Sequence, residues 1–134
     1  MKKLLALCLA STFSLNAMAV TVIVHPSNSE QLDQASISRI FLGKAKSFPS
    51  GSSAVPINLE ESSATTEEFN SKVLNKSSSQ LKAYWSKLVF TGKGTPPKTV
   101  SSDAEMINLI ANNPNMIGFI SGEGDGSVKA VGTF

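Results

Sequence analysis

The segment Ile37-Ser38-Arg39-Ile40-Phe41-Leu42-Gly43-Lys44, followed by Phe48 and by Ser50-Gly51, decides how the rest of the chain is read. Between Leu32 and Phe41 the apolar residues Leu32, Ile37, Ile40 and Phe41 include an i, i+3, i+4 face, the spacing of one side of an α-helix. Gly43 stands where such a helix ends, because glycine enters the left-handed closing conformation without a Cβ penalty. Upstream, Val20-Thr21-Val22-Ile23-Val24 is a β-branched run suited to a buried strand, and Pro26 stops it. Downstream, Ser50-Gly51-Ser52-Ser53 marks a loop and Val55-Pro56-Ile57-Asn58-Leu59 a second strand. The chain therefore opens as strand, helix, strand.

After Leu59 the polar stretch Glu60-Glu61-Ser62-Ser63-Ala64-Thr65-Thr66-Glu67-Glu68 leads into a helix carrying Phe69, Val73 and Leu74. A further helix over Gln80 to Val89 would bury Leu81, Tyr84, Trp85 and Leu88. Thr65 with Glu68, Ser77 with Gln80 and Ser102 with Glu105 each have the spacing of a capping box, in which two side chains satisfy the free amides of a helix start. The segment from Gly92 to Lys98, with Pro96 and Pro97, is a loop leading to Val100. Met106, Ile107, Leu109 and Ile110 predict a helix stopped by Pro114. Met116 to Ile120 and Ser127 to Val131 read as strands on either side of Gly122-Glu123-Gly124-Asp125-Gly126. Alternation of strands and helices argues an α/β fold with helices packed on a small mixed sheet.

Lys2 and Lys3 precede the apolar run from Leu4 to Leu15, and Ala17-Met18-Ala19 presents small residues at a cleavage site, so residues 1–19 read as a secretory signal peptide. The expected mature domain is then residues 20–134, without Cys8 and so without any cysteine, and its core must hold it without disulfides. Nothing later in the sequence is long and apolar enough to span a membrane. The whole chain carries 12 basic and 10 acidic residues. With Lys2 and Lys3 removed the two signs balance, which argues against a nucleic-acid or polybasic membrane-surface partner.

The segment around Ile40-Phe41-Leu42-Gly43-Lys44, the Tyr84-Trp85 pair, the approach from Val100 to Glu105, and Pro114-Asn115-Met116-Ile117-Gly118-Phe119-Ile120 occur in an order that resembles the periplasmic phosphate-binding proteins, the substrate-binding components of ABC transporters. The resemblance covers most of residues 20–134. It implies a periplasmic-binding-protein-like (PBP-like) fold, a periplasmic or secreted location, transport rather than catalysis, and phosphate or a similar oxyanion as ligand. Full-size members bind ligand in a cleft between two lobes, and this chain has room for a single lobe. It would bind ligand on an open face, join a second copy or partner protein that completes the cleft, or serve as a protein-interaction module that no longer binds phosphate.

The resemblance places Ser62, Ser63, Thr65 and Thr66 where such proteins hold the oxyanion. The chemistry agrees, because free amides and the positive end of a helix dipole favour an anion and hydroxyls donate further hydrogen bonds without adding charge. The glycine that would let the backbone approach closely is missing, and Glu60, Glu61, Glu67 and Glu68 surround the turn with negative charge. One of these carboxylates could accept the proton of monohydrogen phosphate. The alternative role of the same residues is helix capping by Thr65 and Glu68. Lys44, Lys46, Lys93 and Lys98 could form a basic rim or simply a solvated surface.

Other chemistry has little support in the sequence. His25, the only histidine, precedes Pro26 at a strand end, which argues against a metal cluster or a Ser-His-Asp triad. The paired glutamates suit a helix start better than acid/base catalysis. The glycine-rich 122–126 stretch lacks the ligands of a calcium loop and the lysine of a phosphate-binding loop. Neither cofactor nor metal is expected, and the expectation is a non-enzyme.

Overall fold

The computed structural model describes residues 19–134. The expected signal peptide thus lies outside the described residues except for Ala19. The elements are β1 (Val20–Val24), α1 (Gln34–Phe41), β2 (Val55–Leu59), α2 (Ala64–Phe69) continued by a π-helical turn over Asn70–Leu74, α3 (Ser78–Phe90), β3 (Lys98–Val100), α4 (Asp103–Ala111), β4 (Met116–Ser121) and β5 (Lys129–Thr133). The five strands form one sheet in the order β3-β2-β4-β1-β5. β2 runs parallel to β3 and to β4, while β1 is antiparallel to β4 and to β5, so the sheet is mixed as the alternation of elements predicts.

All five residues of β1 are buried, which requires cover on both faces of the sheet. Because successive strand residues point to opposite faces, Phe119 and Gly118 of β4 tell the two layers apart. On one side, Phe119 stacks on Phe69 of α2 with ring centroids 4.0 Å apart, and Phe41 of α1 meets Phe69 edge-on at 4.7 Å. On the other side, Met106 of α4 lies so close to Gly118 that a Cβ there would stand 2.4 Å from its sulfur. Gly118 is therefore required for α4 to seat on the sheet. Ile37, Ile57, Ile110, Ile117 and Ile120 complete the interior around these contacts.

Helix ends explain most of the element boundaries. Asp33 caps α1 by accepting the Ser36 amide at 2.8 Å, and Gly43, at φ +72°, closes it by donating to the Ile40 carbonyl. Ser77 and Gln80 form both bonds of the predicted capping box of α3. Ser102 caps α4 as expected, but Glu105 turns its carboxylate to the Ser101 amide and hydroxyl, leaving half of the predicted box. The third expectation is overturned. α2 begins at Ala64 with Ser63 as its N-cap, so Thr65 lies inside the helix, and Glu68 pairs instead with Lys72 at 2.9 Å. The earlier start lets Thr65 and Thr66, each 6% exposed, pack into the interior.

Two further boundaries and the burial of α3 differ from expectation. Lys98–Val100 pairs with Ile57, Asn58 and Leu59 as a short edge strand, so the proline loop ends at a strand that the sequence reading did not separate. The last strand begins at Lys129 rather than Ser127, because the Asp125 carboxylate takes the Ser127 amide at 2.8 Å and holds that residue in the turn. In α3 only Leu81 is buried. Tyr84, Trp85 and Leu88 are half-buried, because α3 rests on the end of α1 rather than on the sheet. The Tyr84 hydroxyl donates to the Leu42 carbonyl at 2.6 Å, and the Trp85 ring lies over Gly43.

Candidate functional site

The parallel strands β2 and β4 end at Leu59 and Ser121 on the same edge of the sheet. The antiparallel β1 starts at that edge, with Val20 opposite Ser121, and Phe134 pairs with Val20 there. The turn between β2 and α2 sits on this edge. In the turn, the Glu60 carbonyl accepts both the Ser63 amide at 3.0 Å and the Thr66 hydroxyl at 2.7 Å. The loop is thus closed onto its own backbone before the helix begins.

These bonds divide the four predicted site residues. Thr66 spends its single hydroxyl proton on Glu60, and Thr65 is buried, so neither presents a free hydroxyl as Ser62 and Ser63 do. Ser62 is exposed and Ser63 half-buried. Ser63 occupies the N-cap yet makes no side-chain cap hydrogen bond, unlike Asp33, Ser77 and Ser102 at the other helix starts. The first amides of a helix have no intrahelical acceptor, and here no N-cap side chain fills that role. The Ser62-Ser63 hydroxyls and the amide end of α2 are what the turn offers to an anion.

Beside the turn lies a groove of about 580 Å³ that the sequence reading did not foresee. Phe41, Leu59, Leu74, Leu81, Trp85 and Phe90 give it an apolar lining, and Pro96 and Pro97 form part of its wall. Its polar members include Thr66, Asn58, Asn70, Glu61 and Lys82. Asn70 is 8% exposed, and among the described residues no buried side-chain nitrogen or oxygen lacks a hydrogen-bond partner. At the rim Phe90 is 92% exposed and Val89 54%. The sequence did carry a signal for this. Leu88-Val89-Phe90 turns through about 200° of a helix, too wide an arc for all three to face one neighbour.

The remaining candidates are placed plainly. Lys44, Lys46, Lys93 and Lys98 are exposed and do not line the groove, whose cation is Lys82. His25 is engaged locally, its Nδ1 accepting the Ser27 amide at 3.1 Å. Among the described residues no group of three or more His, Cys, Asp or Glu is arranged to hold a metal ion. Among them, too, no helix is long and apolar enough to cross a membrane.

No protein-family model matches the chain, and no curated protein matches it. Solved structures do. A phosphate ABC transporter substrate-binding protein from Clostridium perfringens with bound phosphate superposes with a TM-score of 0.68 at 22% identity, covering 85% of this chain and 44% of its own. An ABC-type phosphate transport receptor from Vibrio cholerae gives 0.66 at 22% identity, covering 85% and 45%. PstS from Borrelia burgdorferi gives 0.57 at 18% identity, covering 78% and 40%. At these identities the likeness is one of fold, and the chain spans less than half the length of the structures it matches. The expected PBP-like architecture, with a single lobe's worth of chain and a small mixed sheet flanked by helices, is the one observed.

Proposed function

We propose that the chain is an exported, non-enzymatic protein that binds phosphate or a related oxyanion at the turn between β2 and α2. The observation that carries this reading is the uncapped start of α2. Its N-cap, Ser63, makes no side-chain cap bond, and Ser62 beside it is exposed. A helix N-terminus left open in this way attracts an anion through its amides and dipole. The fold shared with a phosphate-bound transport protein supports the same choice. In this reading Ser62 and Ser63 contribute hydroxyls, whereas Thr65 and Thr66 contribute backbone amides and hold the turn in shape. A periplasmic location and a place in phosphate transport follow from the same proposal.

The test is calorimetric titration of the purified protein with phosphate, using sulfate as the control. Saturable binding that prefers phosphate and is lost in the Ser62→Ala/Ser63→Ala variant is the expected result. Absence of heat, together with an unchanged melting temperature in phosphate, would overturn the proposal.

The apolar groove favours a second reading, a protein-interaction module. An apolar lining suits a hydrophobic side chain of another protein better than a charged oxyanion, whose desolvation it would not repay. A solvent-facing phenylalanine on the rim strengthens it.

A further inference from the structure

Resting on the reading of the groove as a protein-binding surface, we propose that its occupant is a second copy of this chain, docked through the α3 face. Ser78, Lys82, Trp85, Ser86 and Val89 fall at helical spacing along α3 and form one wall of the groove, with Phe90 at its end. A two-fold interface needs a surface that complements itself, each patch meeting its own copy. This face carries both halves of such a match: an apolar hollow floored by Phe41, Leu59, Leu74 and Leu81, and a projecting ring, Phe90, with which to fill the hollow of another copy.

The charges match themselves in the same way. Glu61 lines the groove from the turn after β2, and Lys82 lines it from α3. In the proposed pairing Glu61 of one copy meets Lys82 of the other, and the two-fold repeats that contact. Residues 20–134 carry equal numbers of acidic and basic groups, so net repulsion does not oppose association.

The test is sedimentation velocity of the purified full chain over a wide concentration range, with the variants Phe90→Asp, Glu61→Lys, Lys82→Glu and the double charge reversal. Because these side chains are exposed, circular dichroism and melting temperature should stay at wild-type values. The proposal expects a wild-type dimer, at least tenfold weaker association in Phe90→Asp and in each single reversal, and recovery in the double reversal. A wild type that stays monomeric at the highest concentration, or a dimer indifferent to Phe90→Asp, overturns it. Titration with the apolar dye anilinonaphthalene sulfonate then separates the two levels of the claim. Dye binding by a monomer, abolished by Phe90→Asp, rejects the second copy and retains the groove as a site for another protein. No dye binding rejects the groove reading as well, and neither result bears on phosphate titration.

Discussion

The Thr66 hydroxyl donates to the Glu60 carbonyl at 2.7 Å, across the turn that joins β2 to α2. This bond fixes the shape of the proposed anion site while removing one of its hydroxyls from ligand contact. Thr66→Val keeps the buried shape and deletes only the donor, leaving the Glu60 carbonyl with one partner fewer. We expect a loss of about 1 kcal/mol in urea unfolding, in the range of a buried neutral hydrogen bond. Ser62→Ala should change stability by less than about 0.5 kcal/mol, as for other exposed positions, while weakening phosphate binding. Equal effects of the two variants on stability would show that the turn is not divided in this way.

Helix starts provide a second contrast. Ser77→Ala removes a complete capping box from α3 and should cost about 1 kcal/mol. Ser63→Ala removes an N-cap serine that makes no side-chain cap bond, so its penalty should be no more than a few tenths of that range. Thermal melts of the two variants side by side decide the point. A larger loss for Ser63→Ala would mean that its hydroxyl does cap α2 in solution.

Packing on the α4 face turns on Gly118 and Met106. Gly118→Ala drives a methyl group into the Met106 sulfur and should destabilise the fold by about 1–3 kcal/mol. Met106→Ala alone leaves a cavity, at about 2–5 kcal/mol. The double variant should be less destabilised than the sum of the two, because each change relieves the other. Strict additivity in denaturant unfolding would contradict the contact.

Acid should weaken the fold through three exposed carboxylates. The Ser36 amide and hydroxyl hold Asp33 below its ordinary pKa, the Ser101 amide and hydroxyl do so for Glu105, and the Ser127 hydroxyl and amide for Asp125. Each is depressed in the folded state, so its contribution is present above the unfolded pKa and disappears as pH falls through the lower folded value. The loss therefore begins near about pH 4 and continues below it. Asp33→Asn keeps an acceptor for the Ser36 amide but cannot titrate. Its stability should fall less steeply than wild type between about pH 5 and pH 3, measured by urea unfolding. Parallel curves would remove Asp33 from the account.

Much of this architecture can be read from residues whose local preference and tertiary role coincide. Val20 to Val24 is β-branched and fully buried, Gly43 closes α1 at positive φ, and Ser77 with Gln80 caps α3 because no competing contact claims either side chain. The failures arise where a longer-range contact wins. Thr65 and Glu68 have capping-box spacing, but burying Thr65 and Thr66 moves the helix start back to Ala64. Tyr84 and Trp85 have the spacing of a core stripe, yet they lie half-buried against the end of α1. Local spacing could not reveal the groove, since its lining is gathered from α1, β2, the π-helical turn, α3 and β3. The candidate turn was legible in position. Its division into exposed or half-buried serines, a buried Thr65 and a Thr66 bonded to Glu60 was not, because that depends on where the helix starts and where the Glu60 carbonyl falls.

The central claim is that the start of α2 receives the anion. The most direct test is a titration of the isotopically labelled protein with phosphate, followed through its amide resonances, with sulfate in parallel. We predict saturable shifts at Ser63, Ala64, Thr65 and Thr66 that report one affinity and are abolished by Ser62→Ala/Ser63→Ala. Amides of this turn that stay unmoved while others shift, or no shift anywhere, would contradict it.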